Sequence, residues 1–384
     1  MSWPMVKLGE IFTISRGGSP RPIQDYITDS CNGVNWIMIG DTEPNSKYIR
    51  HTAKKIKLEG VKKSRKVYPG DLLLTNSMSF GRPYILDVEG CIHDGWLVLS
   101  PKNNQIHIDY FYHYLNSPAA KIIISNKAAG AVVKNLNSDI VRKLEIPFPP
   151  FAEQVRIAST LDKVDGIRQK REKTIKLADD FLRATFLEMF GDPVTNKKKW
   201  PLRRLNDICN NVIDCPHSTP KWIDNGTICI RTSNLSKGGW VWSDKRFVSE
   251  ETYVERTKRS VVDEGDIILS REGTVGVAAI VPKNLKLCMG QRLVQLKLDK
   301  NQVVPEYLLS FLLYELDPVR ISRVMSGSTS KHINVSELKQ LNVMLPSMKE
   351  QKLFAEIRNK IINISTKAKA DHFLFEALSS QLMS

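Results

Sequence analysis

Apolar runs in this chain are short. Leu72-Leu-Leu and Ile122-Ile-Ile are typical, and nothing approaches the ~20 consecutive apolar residues of a spanning helix. A soluble protein without membrane contact is therefore expected. Cysteine is scarce as well. Cys31, Cys91, Cys209, Cys215, Cys229 and Cys288 are widely spaced and no secretory signal precedes them, which excludes a disulfide framework and predicts a reducing, cytoplasmic setting. Cys209, Cys215, His217 and Cys229 have the right types for four zinc ligands. They lack the close Cys-x-x-Cys pair that pre-orients such a site, and no metal is expected. Glycine-rich phosphate loops are also missing: neither Gly-x-Gly-x-x-Gly nor Gly-x-x-x-x-Gly-Lys-Ser/Thr occurs, so no nucleotide or cofactor loop is expected. Nor is there an Asn or Asp ahead of Pro-Pro-Tyr or Pro-Pro-Phe, the arrangement that accepts an adenine amino group. Phe148-Pro-Pro-Phe has an apolar residue in that place, and its prolines suit a helix start. Catalysis by the chain itself is not expected.

Acidic residues are in deficit: 56 Lys and Arg face 41 Asp and Glu, a formal charge of +15. The surplus is localised. Residues 1–151 hold 19 basic and 13 acidic side chains and residues 191–346 hold 23 and 17, a net +6 in each, whereas residues 152–190 hold 8 and 7. A positive excess shared equally by two stretches suits a polyanion reached by both, most often nucleic acid. Charge serving solubility alone is the competing reading.

Between Ala152 and Phe190 there is no proline and one glycine, Gly166. Ile157, Leu161, Val164, Ile175, Ala178, Leu182 and Met189 keep a three-four rhythm, which predicts one amphipathic helix of up to ~58 Å at ~1.5 Å per residue. A second rhythm, Phe354, Ile357, Ile361, Ile364, Ala368, Phe375, Leu378 and Leu382, runs towards the C-terminus. Two such seams can bury one another as an antiparallel coiled coil; two ordinary core helices are the alternative.

The two helices open alike, as Pro149-Pro-Phe-Ala-Glu-Gln and Pro346-Ser-Met-Lys-Glu-Gln, and they belong to a larger repeat. Trp3-Pro-Met-Val-Lys-Leu-Gly-Glu-Ile returns as Trp200-Pro-Leu-Arg-Arg-Leu-Asn-Asp-Ile, 197 positions on. Gly70-Asp-Leu-Leu-Leu-Thr returns as Gly265-Asp-Ile-Ile-Leu-Ser at an offset of 195, and Tyr110 matches Tyr307 at 197 again. Matches in one order predict duplication of a domain plus its helix, with boundaries at 1–150, 151–191, 192–346 and 347–384. Strand-like runs such as Asn35-Trp-Ile-Met-Ile and Thr227-Ile-Cys-Ile, and helical patterns around Tyr110 and Tyr307, make each globular half mixed α/β and the chain α+β. Asn137 and Asn334 read as helix N-caps, and Asp192-Pro193 as the end of the first long helix.

Polar, glycine-containing loops let backbone approach phosphate and let Arg, Asn, Ser or His reach base edges. In the first half they supply Arg16, Gly18, Ser19, Arg21, Asn76, Ser77, Ser79 and Arg82. In the second they supply His217, Ser218, Thr219, Lys221, Arg271, Glu272 and Thr274. Asn76 opposes Arg271 in the repeat and Ser77 opposes Glu272, a difference that readers of two half-sites would need. Lys134 and Lys331, beside Gly130 and Gly327, match and are expected to clamp phosphate. The basic run Lys54, Lys55, Lys57, Lys62, Lys63, Arg65 and Lys66 either touches phosphate or forms a charged edge, and His93 beside Asp94 reads as a turn or core histidine.

The Trp-Pro and Leu-Gly-Glu-Ile start, the Pro149-Pro-Phe-Ala-Glu-Gln opening, the Glu188-Met-Phe-Gly-Asp-Pro ending and the echo of the whole unit carry a resemblance. Over essentially its full length the chain resembles the specificity (S) subunits of type I restriction-modification systems. It departs from them at Leu345-Pro-Ser-Met, which lacks the second proline. The resemblance implies two target recognition domains, each reading half of a split double-stranded DNA sequence, separated by spacer helices. It also implies two methyltransferase (M) subunits docked on the spacer and, through them, restriction or translocase (R) subunits. S-adenosylmethionine, magnesium and ATP are implied in those partners and none in this chain. The recognition subunit of a smaller restriction or modification system and a coiled-coil adaptor with non-specific DNA affinity are the alternatives.

Overall fold

Each half of the repeat begins and ends on one two-stranded ribbon. Met5–Lys7 pairs antiparallel with Glu145–Pro147, and Leu202–Arg204 with Asn342–Met344. The computed structural model describes residues 3–43, 46–76, 81–129, 136–321 and 332–370. They divide into two units, one reaching to Arg171 and one spanning Glu172–Lys369.

The first unit is built on a five-stranded sheet in the order Phe12–Arg16, Trp96–Pro101, Leu72–Thr75, Pro83–Leu86, Tyr48–Ile49. Successive side chains of a strand point to opposite faces. Accordingly Leu72, Leu74, Leu97 and Leu99 meet helix α1 (Ile108–Asn116) on one face, while Leu73, Trp96 and Val98 pack with Ile37, Val67 and Ile92 on the other. A sheet covered on both faces has no polar alternation, which accounts for the unbroken Leu72-Leu-Leu. A second sheet, ordered Ile27–Thr28, Lys54–Ile56, Val34–Ile37, Gly90–Ile92, Arg65–Val67, supplies that other layer. From this unit departs α2 (Phe151–Phe190), 40 residues without a break.

The second unit repeats the plan with fewer strands. Its main sheet runs Cys209–Asp214, Leu293–Leu298, Ile267–Ser270, Ala278–Ile280, and its smaller one Phe247–Val248, Thr227–Ile230, Leu287–Met289. Helix α3 (Pro305–Glu315) covers the face of Ile267, Leu269, Val294 and Leu296. The chain continues into α4 (Met348–Ala370).

The repeated motifs turn out to be hydrogen-bonding devices. Gln154 is fully buried; its Oε1 accepts from the backbone N–H of His107 at 2.9 Å, and its Nε2 donates to the carbonyls of Gln105 (3.1 Å) and Pro149 (2.9 Å). Gln351 repeats this with Val304 N (2.9 Å), Gln302 O (3.2 Å) and Pro346 O (2.9 Å). Tyr110 and Tyr307 donate their hydroxyls to the carbonyls of Pro147 and Met344. Gly70 and Gly265 turn through φ of +91° and +85°, and Asp71 and Asp266 accept the backbone N–H of Tyr68 and Asp263. Asn137 and Asn334 cap their helices, accepting from Ile140 N at 2.8 Å and Ser336 N at 3.0 Å.

Two expectations need correction. Helix α2 ends at Phe190 because Gly191 takes φ +82° and donates to Leu187 O at 2.8 Å, a left-handed cap that glycine adopts without strain. Asp192-Pro193 follows the stop and does not cause it. The apolar seams are also placed differently. Ile157, Ala158 and Leu161 enter the sheet core of the first unit, and Phe186 and Phe190 that of the second. Within the second unit Phe354 packs its ring 5.7 Å from Phe186 and 5.5 Å from Phe190, and Asp179 and Leu182 line one cavity with Arg358 and Ile362. Earlier residues of α2 thus meet later residues of α4, so the helices run antiparallel there. The buried face of α4 is Gln351, Phe354, Ala355, Arg358, Ile361 and Ser365, whereas Ile364 is exposed. Three of those positions are polar, so counting apolar residues misplaced the stripe. Phe375, Leu378 and Leu382 lie outside the described residues. No described helix is long and apolar enough to cross a membrane.

Candidate nucleic-acid interface

In both main sheets one strand lies between two antiparallel neighbours. Leu97 stands opposite Arg16 and Trp96 opposite Thr75; in the second unit Val294 stands opposite Asp214 and Leu293 opposite Ser270. The residues after Arg16, after Thr75 and before Trp96 therefore leave the sheet at the same end. So do those after Asp214, after Ser270 and before Leu293. Two of these three segments carry the candidate DNA-contacting loops. The third, His93-Asp94-Gly95 and its counterpart Gly290-Gln291-Arg292, was not among the expected contacts.

Asp94 ties the first site together. Ser19 Oγ donates to its Oδ1 at 2.8 Å, Arg16 Nε and Asn76 Nδ2 donate to its carbonyl at 3.0 and 2.7 Å, and an Arg21 terminal nitrogen stands 3.7 Å from its Oδ2. The Ser19 hydrogen bond, with the charges of His93 and Arg16, holds the Asp94 carboxyl below its ordinary range against the opposing effect of burial. Gly17 must be glycine, since a Cβ there would meet the His93 carbonyl at 2.0 Å. Gly18 donates its N–H to Ile92 O at 3.1 Å and lies beside Lys63 and Ser64. The backbone of Lys63 and Ser64 therefore borders this site, with Lys62, Lys63 and Arg65 exposed; Lys63 donates to the Tyr26 hydroxyl and Lys66 pairs with Glu89. His93 is a turn histidine: its Nδ1 accepts from Gly95 N, and burial depresses its pKa.

Charges carry the second site. Arg271 donates to Asp214 Oδ2 at 3.2 Å and to Glu272 Oε1 at 2.9 Å. His217 Nε2 lies 3.5 Å from Asp214, and Arg292 Nε (3.5 Å) and His332 Nδ1 (3.6 Å) flank Glu272. Gln291 donates to His217 O. Arg256, 8% exposed, donates to the carbonyls of Met289, Ser218 and Pro216, a buried cation that clamps the loop bearing His217, Ser218, Thr219 and Lys221. Thr219, Lys221 and Thr274 face solvent.

Several expected contacts play other parts. Asn76, 2% exposed, is turned inwards on Asp94, and Arg271 is mostly enclosed between two carboxylates, so both position the site instead of projecting from it. Arg82 lies over the Tyr84 ring, 5.1 Å from its centroid, and joins neither cluster. Ser77, Ser79, Lys134 and Lys331 lie outside the described residues. Cys209, Cys215 and Cys229 sit in three different core clusters, and burial pushes the Cys209 thiol up to about 12. Among the described residues no group of three or more His, Cys, Asp or Glu is arranged to hold a metal. The offset that pairs Tyr110 with Tyr307 also pairs Asp94 with Gln291, a signal open to the sequence. Arg256 had none.

The family model for the type I restriction modification DNA specificity domain matches this chain twice, over residues 2–177 and 197–371. The chain belongs to that family. It is thus a DNA-recognition subunit of the type I restriction-modification class, and its two matched segments are the two halves of the repeat. Among its relatives are the MjaVIII specificity subunit of Methanocaldococcus jannaschii, 20% identical over 94% of this chain and 86% of the relative. The EcoKI specificity subunit of Escherichia coli K12 is 25% identical over 78% and 69%. The crystal structure of the type I S subunit from M. genitalium shares the fold with a TM-score of 0.59 at 15% identity, covering 99% of this chain and 95% of that one. A chain from a structure of type I R-M complex assembly does so at 0.54 and 16%, covering 100% and 96%.

Proposed function

We propose that this specificity subunit reads a bipartite double-stranded DNA site, one half per domain, at the two sheet ends described above. Two M subunits dock on its helices and bring R subunits with them. The chain itself is non-catalytic and acts in the cytoplasm; S-adenosylmethionine, magnesium and ATP belong to the partners. The observation that carries the reading is the pair of three-segment junctions with the same backbone plan and different side chains. Asn76 N donates to Gly95 O and Asn76 O accepts from Leu136 N; Arg271 N donates to Arg292 O and Arg271 O accepts from Ile333 N. A common scaffold bearing unlike donors is what reading two unlike half-sites requires.

The test is to map methylated adenines in cells carrying this chain and its partner methyltransferase. Arg16→Ala with Arg21→Ala should change one half of the motif, and Thr219→Ala with Lys221→Ala the other. Simultaneous loss of both halves from either pair, at intact folding, would reject independent reading.

A further inference from the structure

Arg292 is held at φ +66°, in the left-handed region that L side chains rarely adopt. Such strain persists where the surroundings over-determine it, and it gathers at functional sites. The surroundings here are the centre of the second junction: the Arg292 carbonyl accepts the N–H of Arg271 at 3.0 Å. That backbone geometry sends the side chain outwards, 62% exposed. We propose that Arg292 is a base-reading residue of the second domain, donating two parallel hydrogen bonds to the O6 and N7 edge of one guanine in its half-site. The assignment rests on the reading of this face as the one that meets DNA.

The neighbours single out Arg292. Arg271 is enclosed, its terminal nitrogens already given to Asp214 and Glu272. Glu272 is braced by Arg271 and His332 and stands 3.5 Å from Arg292 Nε, which steadies the near end of the guanidinium. Neither terminal nitrogen of Arg292 has a hydrogen-bond partner among the described residues, so a planar two-pronged donor faces outwards. That fork matches the two acceptors that guanine presents in the major groove, and a lysine ammonium cannot reproduce it. The equivalent residue of the first half is Gly95, whose carbonyl accepts Asn76 N at 3.0 Å. The two domains thus differ here by the presence of one reader.

The test compares wild type and Arg292→Gly, each with its partner methyltransferase, by the methylated motif and by thermal melting. Glycine takes φ +66° without strain, so the melting temperature should be unchanged or higher. One guanine position in one half-site should become degenerate, its discrimination falling about 5- to 150-fold, with the other half and the gap unchanged. An unaltered motif, or equal weakening on every sequence, would overturn the assignment alone. So would a lost motif accompanied by a lowered melting temperature, which would make Arg292 structural. A wild-type complex with no preferred motif would overturn the underlying reading and this assignment with it.

Discussion

Gln154 and Gln351 show how much one side chain can organise. Each amide satisfies one backbone donor and two carbonyls, of which that of Pro149 or Pro346 is shut away from water, and the residues it joins lie up to 49 positions apart in sequence. Replacing it with leucine keeps the volume but strands one fully buried carbonyl, that of Pro149 or Pro346, at about 1–3 kcal/mol, and leaves two partly buried groups to find water at smaller cost. Gln154→Leu should therefore destabilise the first unit by roughly 2–4 kcal/mol, and Gln351→Leu the second. Hydrogen exchange separates the two: amides of α1 should exchange faster in the first variant and those of α3 in the second. Equal effects in both units from either change would reject the local role. The Glu-Gln pair was visible in sequence as a repeated helix opening. Its purpose was not, because the groups it serves reach it only after the loop before α1 or α3 has folded back. Arg256 was hidden for the same reason: an isolated Arg carries no periodicity, and its partners come from distant turns.

Among the elements, α2 was the most legible, since proline-free length and a three-four rhythm are local properties. What anchors it was not legible. Asp162 on its first turns accepts from Lys47 at 2.5 Å and shares a 2.7 Å hydrogen bond with His113 of α1, while Lys47 also pairs with Asp109. Burial alone would raise the Asp162 carboxyl, but the hydrogen bonds from His113 and Lys47 prevail and draw it down to about 2. A carboxylate depressed in the folded state stabilises above its unfolded pKa, near 3.8, and that contribution is lost as pH falls towards the folded value. Asp162→Asn should thus lower first-unit stability at neutral pH by on the order of 1 kcal/mol, a figure reduced for the half-exposed carboxylate. The gap between variant and wild type should narrow in urea unfolding as pH is taken from about 5 to about 3. A gap that stays constant over that range would show that the ion pair does not hold the helix. The other long helix, α4, was read less well because Gln351, Arg358 and Ser365 occupy its buried face, and a hydrophobicity count passes over them.

For the whole molecule, duplication and charge were the two properties plain in the sequence, and both concern the function directly. Offsets of 195 and 197 survive as equivalent hydrogen bonds, whereas the spatial meeting of three turns at each sheet end needed the strand order. The location of charge sharpens what the first site does. Lys62, Lys63 and Arg65 are exposed beside Gly18 and the Asp94 cluster, on a segment with no glycine or asparagine to shape a base-reading turn. They suit phosphate, which attracts cations irrespective of sequence. The triple change Lys62→Ala, Lys63→Ala, Arg65→Ala should weaken cognate and random duplexes by the same factor and leave the methylated motif intact. Each phosphate contact removed lowers the salt slope of log K by about 0.9, so the loss of all three should make the slope shallower by about 2.7. Binding measured between about 50 and about 200 mM salt gives that slope. An unchanged slope would return the run to an ordinary charged edge, and a changed motif would place base readers among these lysines.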